Sequence, residues 1–128
     1  MKNPLFAHLL FALAAVLPLA AAAQVSVQPA ADQEALLASA DPVLRANKRL
    51  VYDFWREIFE AGQVAQTDKY VAESYIQHNP NVPTGRAAMV GFISRRTPAP
   101  LPVEARIKAP LVSIVAERDL VILGFVRE

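Results

Sequence analysis

The chain has 128 residues, 54% of them hydrophobic, with 13 basic and 12 acidic side chains and no cysteine. That is one domain's worth of chain, enough for a single modest core. A charge balance near zero excludes the basic excess of a nucleic-acid binder, and the lack of cysteine excludes disulfides and a His/Cys zinc site.

The first two dozen residues carry much of the hydrophobicity. Lys2 supplies a short positive start, Leu5 to Ala20 is apolar apart from His8, and Ala21-Ala22-Ala23 offers small residues to a signal peptidase. This pattern predicts a cleavable secretory signal over residues 1–23, cut before Gln24. The apolar run is shorter than the ~20 residues that span a bilayer comfortably, and Pro18 interrupts it. The expected location is the periplasm or the exterior, with no membrane contact after cleavage. Removing the signal also removes Lys2, so 13 − 1 leaves 12 basic against 12 acidic residues.

Residues 24–40 are rich in Ala, Gln and Ser and read as a flexible linker to a domain over residues 41–128. Asp41 is suited to cap a helix, and Pro42 fits its first position because the missing N–H has no partner there anyway. Leu44, Val51, Trp55 and Ile58 recur at helical spacing, with Tyr52 and Phe59 beside them, so one face carries a wide aromatic stripe. Gly62 is the expected stop.

A shorter helix is predicted from Thr67 or Asp68 through Ala72. Tyr75-Ile76-Gln77-His78 alternates in type and reads as a strand, and the prolines at 80 and 83 break it. Thr84 is expected to cap a third helix reaching about Arg95, with Ala88, Met89, Phe92 and Ile93 inward. After a proline-rich linker, Val103, Ala105, Ile107 and Ala109 alternate with charged residues, the mark of a strand with one wet face. Pro110 bends it, Leu111 to Ala116 continues it, Glu117-Arg118-Asp119 turns, and Leu120 to Val126 returns. Helices followed by antiparallel strands indicate the α+β class.

The aromatic first helix, the run Tyr70-Val71-Ala72-Glu73-Ser74-Tyr75-Ile76-Gln77-His78-Asn79-Pro80, the following Pro83-Thr84-Gly85-Arg86-Ala87-Ala88 and the final hairpin resemble the SnoaL-like family of the nuclear transport factor 2 superfamily. The resemblance covers roughly Val43 to Glu128. It implies a cone, in which a curved antiparallel sheet packs on three helices and leaves a pocket at the wide end. Relatives continue with further strands, so the resemblance also implies a domain truncated at its C-terminal side. It implies polyketide cyclase-like aldol closure or isomerisation without a cofactor, or else a non-catalytic ligand-binding or dimerisation module. A truncated fragment without function is the remaining alternative.

His78 suits general acid/base work on a carbon acid, and the resemblance turns it toward the pocket mouth. Tyr75 and Asn79 carry groups that hold an enolate oxygen, although strand alternation puts Tyr75 and His78 on opposite sides. Tyr52, Trp55 and Phe59 are candidates to line a pocket for a small apolar molecule, against the plainer reading that they form core. Asp53 and Glu57, near Arg49 and Arg56, are expected to form a solvated ion-paired face. No metal and no cofactor is expected, since no phosphate-binding or dinucleotide glycine motif occurs. A homodimer is the expected assembly.

Overall fold

In the computed structural model, which describes residues 26–126, Asp41 opens the first helix as its chemistry predicts. Its Oδ1 accepts from the N–H groups of Val43 and Leu44 at 2.7 and 3.3 Å, and Pro42 takes the first turn. The expected signal over residues 1–23 and its cleavage point lie outside the described residues. Helix α1 (Pro42–Phe54) runs directly into a π-helical turn, Trp55–Glu60. Gly62 ends it with φ at 69°, and a Cβ there would lie 2.8 Å from Thr97 Cγ2, so close approach and handedness both require glycine.

The stripe on α1 is two faces. Tyr52 and Trp55 turn toward the C-terminal hairpin, whereas Phe54 and Ile58 turn toward a second helix, α2 (Arg86–Arg96). Helix α2 buries Met89 and Ile93, with Phe92 packed beside them and Ala88 half-buried. The chain closes with strand β1 (Leu111–Glu117) antiparallel to β2 (Leu120–Phe125). Arg118 in the turn between them has φ at 53°. The result is a small α+β domain, and β1 and β2 are the only strands among the described residues.

Five expectations about local structure need correction. The helix expected from Thr67 is a 3₁₀ segment over Val64–Lys69. Thr67 Oγ1 donates backward to the Val64 carbonyl at 2.7 Å and so does not cap a following turn. The strand expected at Tyr75–His78 is a loop closed on itself. Thr84 Oγ1 accepts from Gln77 N–H at 3.2 Å, and the Tyr75 carbonyl accepts from Gly85 N–H at 2.9 Å. Thr84 is engaged in that loop, and the N-cap position of α2 falls to Gly85 (φ 103°), which has no side chain to cap with.

The strand expected over 103–109 forms no ladder. Its partners are instead a carboxylate and an amide: Lys108 and Ala109 N–H donate to Glu60 at 2.9 and 3.0 Å, and Ile107 N–H donates to Gln33 Oε1 at 2.9 Å. Alternation alone cannot tell a neighbouring strand from such substitutes. Finally, the linker expected over 24–40 is docked from Ala30 onward. Ala30 N–H donates to the Leu111 carbonyl at 2.7 Å, and Gln33 and Leu37 are buried.

Two apolar clusters result. One joins Leu37, Tyr52, Ile107, Leu111 and Ile114 beneath the hairpin. The other joins Ile58, Val71, Met89 and Ile93 between α1 and α2.

Candidate functional site

The second cluster is not closed over. Leu50, Val51, Phe54, Val71, Met89 and Val121 line an open groove of about 460 Å³, and Tyr70, Ala72 and Tyr75 complete its wall. Its size falls in the ~300–1,000 Å³ range of small-molecule sites, and its lining is predominantly apolar, as such sites usually are. Two further concavities, of about 380 and 350 Å³, are lined in part by charged groups, Glu34, Arg45 and Arg49 in one and Asp32, Glu34 and Arg106 in the other.

Four stretches of chain build the groove. The 50/51/54 side of α1 forms one bank and Val121 of β2 joins it. The 70–75 segment forms the other bank, and Met89 of α2 lies at the bottom, nearly buried. The 70–75 segment is held by Arg86, whose Nη1 donates to the Val71 carbonyl at 3.0 Å. The Tyr70 ring meets Phe54 edge to face, with centroids 6.2 Å apart.

The hydroxyl-bearing side chains of the groove wall are two tyrosines, Tyr70 and Tyr75. Tyr70 donates its proton to Glu57 Oε2 at 2.6 Å. Burial pushes the Tyr70 phenol well above its ordinary range, and the adjacent Glu57 carboxylate pushes the same way by bonding the neutral form and repelling the anion. Tyr70 therefore stays protonated through the physiological range. The Tyr75 hydroxyl has no hydrogen-bond partner among the described residues. Compared with protein-family models, curated proteins and solved structures, the chain matches none.

Of the residues singled out in the sequence, Tyr75 lines the groove. Tyr52 is buried on the hairpin side, donating to Gln33 Oε1 at 2.8 Å. Trp55 stacks between Phe59 and Phe125, with centroids 4.3 and 4.8 Å away, and donates to Glu60 Oε1 at 3.1 Å. Phe59 lies beneath the Arg96 guanidinium, 4.0 Å from ring centre to Cζ. Tyr52 and Trp55 pack on the hairpin side, Phe59 lies against Trp55, and Tyr52 also lines the concavity of about 350 Å³; none of the three lines the groove. His78 and Asn79 are exposed on the 77–82 turn, where Asn79 Oδ1 accepts from Asn81 N–H at 3.0 Å. His78 is not in the groove wall and makes no hydrogen bond among the described residues.

The ion-paired face is also rearranged. Arg56 reaches Asp53 at 2.7 Å with both side chains mostly buried, and its Nη1 donates to the Glu104 carbonyl at 2.6 Å. Glu57 pairs with Tyr70 and not with an arginine. The π-helical turn underlies this placement: its extra residue per turn shifts the register of the helix, so Glu57 and Glu60 serve different partners. Sequence reasoning missed Leu50, Phe54 and Tyr70 as wall residues. A usable signal was present in the i, i+4 spacing of Leu50, Phe54 and Ile58, which forms an apolar row separate from Tyr52, Trp55 and Phe59.

Proposed function

We propose that this chain is an exported binding protein whose α1–α2 groove takes a small, largely apolar molecule. The observation that carries the reading is the apolar cleft of about 460 Å³ over a nearly buried Met89. Export rests on Lys2, the apolar run from Leu5 and the alanines before Gln24. The SnoaL-like cone belongs to the same proposal. Its support is a hairpin whose inner residues Ile114, Val121 and Leu123 pack on the α1 side of the core.

Binding without turnover is favoured over proton transfer by His78, because His78 lies outside the groove wall. Pairing of two copies completes the proposal. Val115 and Ile122 face each other across the hairpin register and are 56% and 65% exposed, with Leu120 beside them, so a bare apolar strip lies on the outer face.

The test uses the methionines as reporters, since the chain has two, Met1 and Met89. In protein labelled with ¹³C at the methionine methyls, titration with the bicyclic hydrocarbon tetralin is expected to move the Met89 signal saturably, with a dissociation constant below ~1 mM. Ala72 is exposed on the groove wall, so Ala72→Trp fills the cleft without touching the core and removes that response. A Met89 signal indifferent to tetralin and to related bicyclic compounds would reject the groove as a binding site.

A further inference from the structure

We infer that the groove selects, among apolar guests, those carrying a hydroxyl donor, with the Tyr70 phenolic oxygen as acceptor. The inference rests on the reading of the groove as a binding site and adds the chemical class of the guest.

A phenol has one proton to give and lone pairs to receive with. In Tyr70 the proton is committed: it points to Glu57 Oε2 at 2.6 Å, a short bond of the charge-assisted kind. What remains on the Tyr70 oxygen is acceptor capacity, and the bond to a carboxylate increases the electron density there. A guest carbonyl or carboxylate offers lone pairs to lone pairs and gains nothing at this position. A guest hydroxyl completes a chain of hydrogen bonds running from guest to Tyr70 to Glu57.

The competing polar group in the wall is Tyr75, whose hydroxyl is uncommitted among the described residues and rotates to donate or accept. Tyr75 therefore serves alcohols and ketones alike, and the discrimination falls on Tyr70. The remaining wall residues Leu50, Val51, Phe54, Val71 and Val121 offer no hydrogen bond from their side chains. They set size and apolarity and leave the donor rule to one atom.

Matched probes decide the matter: 2-tetralol and 2-tetralone share a skeleton and differ in hydroxyl against carbonyl. Monitored at the Met89 methyl, the native protein is expected to bind the alcohol about five- to tenfold more tightly, the worth of one net hydrogen bond. Tyr70→Phe is expected to bring the two affinities together by weakening the alcohol and leaving the ketone unchanged. Tyr75→Phe is expected to weaken both and preserve their ratio. Glu57→Leu frees the Tyr70 proton and is expected to raise the ketone to parity. Equal or tighter binding of the ketone by the native protein, or a preference that survives Tyr70→Phe, overturns the donor rule while leaving the groove a binding site. Failure of both probes and of tetralin to bind overturns the groove and the rule together. The comparison of the two probes on the native protein decides the rule even if Glu57→Leu does not fold.

Discussion

Around Tyr52 the interior is held by polar bonds of fixed direction, whereas around Met89 it is held by apolar contact. On the hairpin side, Gln33 accepts from both the Tyr52 hydroxyl and Ile107 N–H and donates to the Ile107 carbonyl, while Glu60 accepts from Trp55, Lys108 and Ala109. Each of these bonds specifies one position of one chain segment, so the 30–37 and 107–109 segments have little freedom to move apart. On the α2 side, Ile58, Val71, Met89 and Ile93 meet without such ties, and the polar bonds that matter, Arg86 to Val71 and Tyr70 to Glu57, sit at the edge. Directional bonds make a scaffold, and a contact-only interior leaves an open apolar surface. The same helix serves both because its two apolar faces diverge.

The largest expected effect breaks the scaffold. Glu60→Ala removes one acceptor from three donors, and a loss of about 3 kcal/mol of stability is expected from charge-assisted bonds left unmade. A shift in the urea midpoint measures it. The probe-induced change at Met89 should survive wherever the variant remains folded. A loss below about 1 kcal/mol would show that the Glu60 cap does not organise the hairpin side.

A smaller effect compares the two tyrosines. Burial holds both Tyr52 and Tyr70 above the ordinary phenol value of 10.0, and for Tyr70 the Glu57 carboxylate adds to the shift. In the unfolded chain each phenol ionises near its ordinary value, while in the fold each keeps its proton. Above that value the unfolded state binds fewer protons, so stability is full below about pH 10 and falls as pH rises further. Tyr70→Phe is expected to flatten this alkaline slope more than Tyr52→Phe, because Tyr70 bonds a carboxylate directly, whereas Arg56 and Arg49 beside Tyr52 offset the repulsion from Glu34. Chemical denaturation at several alkaline pH values gives the two slopes, and a larger flattening by Tyr52→Phe would reverse the contrast.

The smallest change in stability comes from the outer face of the hairpin. Ile122→Lys is expected to alter stability by less than about 0.5 kcal/mol, since the side chain is largely exposed. On the proposed pairing it should nevertheless shift the sedimentation of the protein from dimer to monomer. A native protein that sediments as a monomer at all concentrations would remove the pairing from the proposal.

Much of the secondary structure was legible in the residues. Asp41-Pro42 and Gly62 bracket the first helix, and Leu111 to Phe125 folds back where Arg118 and Asp119 turn it. Of the misread segments, 67–72 and 75–78 close on local bonds that compete with helix and strand, whereas 30–37 and 103–109 bond partners far away in the chain. Gln33 lies 74 residues from Ile107, and Glu60 lies 48 from Lys108. No local period encodes such a bond. The groove shows the same limit. Tyr70 and Tyr75 stand in the same run, and nothing local marks which of the two phenols meets Glu57 13 residues away; Leu50 and Phe54 look like ordinary helix residues.

By itself the order of residues determined what depends on near neighbours: the capped amphipathic helix, the glycine stop, the hairpin and the α+β class. These follow from dihedral preference and from periodicity of 3.6 or 2, which act over a few residues. Only the tertiary structure decided what each apolar row of the first helix packs against, that Gln33 and Glu60 bond the segment that reads as a strand, and that Tyr70 donates a hydrogen bond to Glu57 at the edge of an open cleft. Those outcomes depend on which distant groups meet when the chain packs, and the free energy of a buried polar group is settled by the partner it meets there.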